Sequence, residues 1–123
     1  MTAAIPPYVP GHNLLAGKHV LITAAAGAGI GYAAAQKAVE EGATHLVISD
    51  IHEGRLKQAV ATLNGLSDSC AVHGKLANVT VEEDVQALVA FAEETTGGVD
   101  ILINNAGLGG SRLLVEMSDE EWS

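Results

Sequence analysis

The chain has 123 residues, 48% of them apolar and 17% charged, a balance that supports a folded core and argues against disorder. Six Lys and Arg stand against fifteen Asp and Glu, so the formal charge is −9; that field repels phosphate and excludes nucleic acid and anionic membrane as partners. One cysteine, Cys70, permits no intrachain disulfide, and with no targeting segment or apolar run of spanning length the sequence reads as cytoplasmic.

Residues 1–17 hold all three prolines (Pro6, Pro7, Pro10) and read as an irregular arm that docks through Leu14 and Leu15; 18–123 reads as one folded unit. His19 to Thr23 is a continuous apolar run, the pattern of a strand buried on both faces. Gly29 to Glu41 follows as an alanine-rich helix with Gly42 as its stop. His45 to Ser49 is a second buried strand ending at Asp50, and His52 to Asn64 places Leu56, Val60 and Leu63 at helical spacing before Gly65. Cys70 to His73 reads as a third, short strand.

Thr80 and Glu83 have the spacing of a capping box, and Val81, Val85, Leu88, Val89 and Ala92 form an apolar stripe down the helix that follows. After Gly97-Gly98, Val99 to Asn104 is a fourth strand. Ser118 to Glu121 repeats the capping-box spacing, with Met117 and Trp122 placed as a hydrophobic staple.

Strands alternating with helices imply right-handed crossovers and a parallel sheet covered on both faces, so the expected fold is a Rossmann-type, doubly wound α/β sheet with strand order 3-2-1-4. That order leaves Ile101 to Ile103 on an open edge, and the last helix start reaches only one turn. The expectation is therefore that the chain is the leading part of a single dinucleotide-binding domain and that a further polypeptide segment pairs beside the fourth strand.

The turn after the first strand reads Thr23-Ala24-Ala25-Ala26-Gly27-Ala28-Gly29-Ile30-Gly31. Glycines let a backbone approach a pyrophosphate, and the free amides and dipole of the next helix stabilise the anion. An ordinary tight turn is the competing reading. Asp50, nineteen residues past Gly31, ends the second strand where a carboxylate can accept both ribose hydroxyls of an adenosine. Its charge would repel a 2′-phosphate, and the glycine turn holds no Arg or Lys to offset it, so the sequence favours NAD over NADP; against this, Asp50 could simply cap the helix near His52. Asn104-Asn105-Ala106-Gly107 closes the fourth strand with small residues able to border a ligand, or to make a turn.

Together the 23–31 turn, Asp50, Asn104 to Gly107 and the 117–122 segment resemble the short-chain dehydrogenase/reductase family over nearly the whole chain from Leu14 on, the Asn-Asn-Ala-Gly tetrapeptide being the most specific element. Among relatives the motifs look like bacterial reductases of steroid-ring catabolism and 3-oxoacyl carrier-protein reductase-like members. The resemblance implies that Gly27, Gly29, Ile30 and Gly31 line the pyrophosphate, Asp50 and Ile51 hold the adenosine ribose, Asn78 and Val79 border the adenine, and Asn105, Ala106 and Gly107 touch the ribose side of the nucleotide. It further implies that a small-molecule ketone, steroid-derived or an acyl thioester, and its alcohol are interconverted by hydride transfer with NAD, by a homo-oligomer, a tetramer or dimer. Two departures stand out: Ala24 replaces the family's first glycine with one extra residue before Gly29, and Asn78 stands where Asp is common.

The family's catalytic Ser and Tyr-x-x-x-Lys are absent: Tyr8 is followed four residues on by His12, and Tyr32 by Gln36. This chain alone is thus expected to be inactive. The five histidines lack ligand spacing, so no metal site is expected; Cys70 reads as core, Asp119 to Glu121 as a helix first turn, and Arg112 as a solvated side chain or a contact to a substrate anion. Two rivals remain, an S-adenosylmethionine-dependent methyltransferase and a stand-alone nucleotide-binding module.

Overall fold

The computed structural model describes residues 3–107 and 113–122. Four parallel strands, β1 (His19–Ile22), β2 (His45–Asp50), β3 (Ala71–Leu76) and β4 (Ile101–Ile103), lie in the order β3-β2-β1-β4, as the sequence predicts. The helices α1 (Ile30–Glu40), α2 (Glu53–Asn64) and α3 (Glu82–Thr96) make the crossovers, and a short turn of helix, α4 (Asp119–Trp122), starts directly after Ser118. Arg112 and Ser123 lie outside the described residues, as does the Trp122 side chain of the expected staple.

The two faces of the sheet are unequal. Val20, Ile22, Leu46, Ile48 and Val72 point to the face covered by α1 and α2, where Ala35, Ala38, Leu56, Ala59 and Leu63 complete the larger core. Alanines on α1 bring its backbone close to β1 and β2, and Gly74 does the same for α2, since a Cβ there would stand 2.7 Å from Val60. Burying a leucine or isoleucine contributes roughly 1.5–3 kcal/mol, so this face carries most of the stabilisation. The opposite face packs only Leu21, Val47 and Ala77 against Leu88 and Ala92 of α3. The stripe expected on that helix is split: Val85 and Val89 stay 37% and 42% exposed, because no described element lies beside α3 beyond β4. β4 is correspondingly open, with Leu102 53% exposed.

Several boundaries differ from expectation. β3 runs three residues past His73, since the ladder with β2 continues to the Asp50–Leu76 pair regardless of the loss of apolar character at Gly74 and Lys75. β4 is shorter than the Val99–Asn104 run; Asp100 instead turns its carboxylate to the His19 amide. In the arm, Leu15 packs on the core but Leu14 remains 71% exposed, because Asn13 adopts a left-handed conformation that turns the chain. α1 ends as predicted at Gly42, whose φ of 83° lets its amide reach the Val39 carbonyl while the Ala43 amide reaches that of Ala38. Among the described residues, no helix is long and apolar enough to cross a membrane.

Candidate functional site

The carboxyl ends of β1, β2 and β4, with the loop after β3, form the site. β1 runs into a left-handed residue, Ala24 (φ 51°), the position where the family pattern has glycine. The turn then passes through Gly27 at φ 101°, a conformation glycine adopts without strain. Gly31 is fixed by space instead: a Cβ there would stand 2.5 Å from Asn105 Nδ2 and 2.6 Å from the Ala24 carbonyl oxygen. Those two atoms are hydrogen-bonded to each other at 3.1 Å, so the glycine turn, the start of α1 and the end of β4 share one knot.

Thr23 completes that knot. Its buried hydroxyl oxygen accepts from the amides of both Asn105 and Ala106 at 3.0 Å, and its own amide donates to the Ile103 carbonyl. Sequence reading missed this clamp. Asn105 is likewise a positioning residue here, its amide nitrogen committed to Ala24 rather than turned to the crevice.

Above the knot, α1 begins with no cap. Gly29 offers no side-chain acceptor, and the first turn carries no acid. The amides of Ile30, Gly31 and Tyr32 precede the first intrahelical bond to their helix, that of Ala33 to the Gly29 carbonyl, and so face outward unpaired. The other two long helices are finished internally. His52 Nδ1 accepts from the Arg55 amide at the head of α2, where Glu53 also stands, and α3 opens with Glu82, Glu83 and Asp84.

Asp50, half-buried, does not cap α2, because His52 takes that role. Its Oδ2 accepts from the Ala26 amide at 3.2 Å and its Oδ1 from the His52 amide at 3.0 Å, binding the end of β2 to the glycine turn. Each carboxylate oxygen keeps a further lone pair, so ribose hydroxyls can still be accepted.

Past β3, the capping box expected at Thr80 is not formed. Val81 is the N-terminal boundary of α3, since Asn78 draws Thr80 away: the Thr80 amide (3.0 Å) and hydroxyl (2.7 Å) both donate to Asn78 Oδ1. Asp84, not Glu83, reaches back, accepting from the Asn78 amide at 2.8 Å.

Asp50, Ile51, Asn78, Val79, Ala106 and Gly107 line one cleft of 380 Å³. Six of the eleven residues proposed from sequence thus meet in one place. Gly27 lines a separate groove between α1 and α2 with Tyr32 and Arg55, and the Arg55 Cδ lies 3.9 Å from where a Cβ on Gly27 would be. Sequence reading did not bring that cation to the turn; only the helical rise from His52 places it there.

The far end of the sheet gathers what sequence left scattered. His19, His45 and His73 lie on neighbouring strands on the α3 face, His19 and His45 edge to face at 5.0 Å and His45 Nδ1 3.2 Å from His73 Nε2. Burial first, and then the charge of His45, hold the His73 imidazole below its ordinary value of 6.5. Among the described residues no group of three or more His, Cys, Asp or Glu is placed to hold a metal.

A parallel sheet in this order, with a glycine turn leading into an uncapped helix at its carboxyl edge, defines a Rossmann-type nucleotide-binding unit. Residues 18–123 match the family model described as short chain dehydrogenase, and the chain belongs to that family. Over 117 residues it is 45% identical to (5R,7aS)-5-hydroxy-7a-methyl-1-oxo-2,3,5,6,7,7a-hexahydro-1H-indene-carboxyl-CoA reductase of Mycobacterium tuberculosis, covering 95% of this chain and 44% of that protein. A short chain dehydrogenase from Mycobacterium smegmatis superimposes with a TM-score of 0.87 at 47% identity, over 97% of this chain and 48% of that one. L-sorbose reductase from Gluconobacter frateurii, solved with NADPH and L-sorbose, gives 0.80 at 34% identity, over 89% and 41% of the two chains. The chain therefore spans less than half the length of these relatives. Membership of this family sets aside the methyltransferase reading.

Proposed function

We propose that this chain is the cofactor-holding half of an oxidoreductase that interconverts a ketone and an alcohol, with NAD as the preferred dinucleotide. The observation that carries the reading is the head of α1: of the three long helices it alone has neither a capping side chain nor an acid in its first turn, and a glycine turn opens the approach to it. An anion such as a pyrophosphate completes what the other helices supply for themselves. Gly27, Gly29, Ile30 and Gly31 would hold it through backbone amides, and the close packing of Gly31 on Asn105 and Ala24 fixes where those amides stand.

In this reading Asp50 and Ile51 bind the adenosine ribose, Asn78 and Val79 border the base, and Ala106 and Gly107 close the opposite wall, with Asn105 positioning that wall from beneath. The bound nicotinamide supplies the hydride acceptor or donor; the residues here bind and orient it. Proton transfer falls to a further polypeptide segment, placed beside β4, whose edge and the adjoining flank of α3 are apolar and open. The name of the Mycobacterium tuberculosis relative, a reductase of an oxo-indene-carboxyl-CoA, supports a substrate ketone of steroid-derived or acyl-thioester type; a homo-oligomer acting in the cytoplasm completes the proposal.

Arg55 beside Gly27 supports a second reading, in which NADP is also accepted because the guanidinium offsets the Asp50 charge at a 2′-phosphate. Calorimetric titration of the full-length protein with NADH, NADPH and S-adenosylmethionine tests both. NADH binding tighter than NADPH, with no heat from S-adenosylmethionine, is expected. Equal or tighter NADPH binding would establish the second reading, and binding of neither dinucleotide would overturn both.

A further inference from the structure

Beneath the cleft, two hydroxyls lie side by side with their hydrogen bonding unfinished. Leu21 and Val47 face α3, and strand alternation turns Thr23 and Ser49, two residues on, to the same side. The β1–β2 register that pairs Ile22 with Ile48 brings Thr23 and Ser49 to neighbouring positions, and the Ala25 amide, donating to the Ser49 carbonyl, holds the chains together there. The Thr23 oxygen uses both lone pairs on the Asn105 and Ala106 amides, so only its proton remains to be placed. Both amides come from the β4 side, and β2 flanks β1 on the other, so the proton is left to the Ser49 side. Ser49 is fully buried, and its Oγ has no hydrogen-bond partner among the described residues.

A hydroxyl buried without a partner bears the full cost of its lost hydration. Direct pairing falls short, because neighbouring strands stand about 4.8 Å apart whereas one O–H···O bond spans about 2.8 Å. A single water fits that gap: two such bonds meeting at a tetrahedral oxygen reach across about 4.6 Å. Two hydroxyl protons also suit a buried water, which keeps two to four polar partners. We propose that Thr23 and Ser49 share one buried water, and that Ser49 is through it a positioning residue for the Thr23 clamp. With its proton held on the β2 side, the Thr23 oxygen keeps both lone pairs on the tip of β4. The cleft lies directly above, since Ala24 and Asp50, which follow the two hydroxyl residues, line it together with Ala106. This deepens the dinucleotide reading above and rests on it only for the effect on binding.

The test uses the full-length protein with Ser49→Ala and Ser49→Cys. Alanine removes the hydroxyl, whereas cysteine fills the space but offers only a weak donor. A crystal structure of wild type is expected to show a water about 2.8 Å from both hydroxyl oxygens; no water there, or a direct Thr23–Ser49 bond, overturns the proposal. Hydrogen exchange of the Asn105 and Ala106 amides, read by mass spectrometry without ligand, is expected to run about tenfold faster in both variants, the net worth of one hydrogen bond. Wild-type exchange in either variant reduces Ser49 to packing and overturns the proposal. Removing a hydroxyl that truly lacked a partner would stabilise the fold, so a Ser49→Ala melting temperature several degrees above wild type overturns it too; no rise is expected. NAD is expected to bind both variants about threefold more weakly, and unchanged affinity beside faster exchange overturns the link to binding. Failure of wild type to bind NAD overturns the dinucleotide reading instead, and leaves the water and the exchange rates to decide Ser49.

Discussion

The two ends of the sheet are built to opposite rules. At the amino end, polar groups answer one another: Asp100 takes the His19 amide, the His19 ring meets the Gly98 carbonyl, His45 meets His73, and Glu41 accepts from the His12 amide so that the arm lies along α1. The His12 amide, above all, holds the Glu41 carboxyl below its ordinary value. At the carboxyl end, amides at the head of α1, the Val79 amide and Asn78 Nδ2 are left without partners beside glycines and alanines. A fold gains stability where its polar groups are satisfied and keeps binding capacity where they are not. The contrast points to the same end as the proposed dinucleotide site, without reference to any motif.

The sharpest way to break the contrast is Gly31→Ala at the carboxyl end. The new methyl would lie 2.5 Å from Asn105 Nδ2 and 2.6 Å from a backbone oxygen, so the knot under the cleft must open. Overpacking of this kind costs about 1–3 kcal/mol, and dinucleotide binding is expected to disappear in calorimetry while the melting temperature falls.

Asp50→Ala comes next. Hydrogen bonds to a charged group contribute roughly 1.5–3 kcal/mol each, so NAD affinity should fall by tenfold or more, whereas NADP should lose less because a repulsion is removed. An unchanged NAD-to-NADP ratio would remove Asp50 from the ribose site.

Ala24→Gly acts in the other direction. A left-handed alanine costs roughly 1–2 kcal/mol, partly offset by the greater freedom of glycine in the unfolded chain. The variant is expected to melt a few degrees higher, and no gain would mean that the φ of 51° is held without strain.

The smallest effect concerns the amino end. The His73 imidazole titrates below 6.5 in the folded state, chiefly through burial, so the unfolded chain binds its proton first as pH falls. Its share of stability is complete above 6.5 and is lost as pH drops from there through the folded value. Melting temperature should decline over that range, His73→Phe should flatten the decline, and NAD affinity at neutral pH should be the same in both proteins.

Short-range patterns made most of the fold legible. Continuous apolar runs marked strands buried on both faces, alanines marked the helix closest to the sheet, and Gly42 marked its end. Pairings distant in sequence were not legible. Thr23 is an ordinary strand residue until β1 and β4 bring it to amides more than eighty positions away. The three clustered histidines sit at 19, 45 and 73, and only parallel register aligns them. The Thr80 capping box failed for a local reason: an Asn two residues earlier takes the Thr80 amide that Glu83 would have accepted and turns the Thr80 hydroxyl towards itself. Of the site residues named from the sequence, Asp50, Ile51, Asn78, Val79, Ala106 and Gly107 share one cleft, together with Ala24, Ala77 and Thr80, which were not named for it, and Arg55 at the glycine turn was not foreseen.

If the proposed site is correct, the Thr23 clamp makes β4, at the edge of the described sheet, a party to ligand binding. One oxygen grips two successive amides at the tip of β4, so a molecule pressed against Ala106 and Gly107 also steadies Ile101 to Ile103. By reciprocity, any segment that zips onto that rim tightens the hold on the ligand by the same factor. On the proposed function, pairing of a further segment at β4 and capture of a cofactor would be coupled, joined through one hydroxyl.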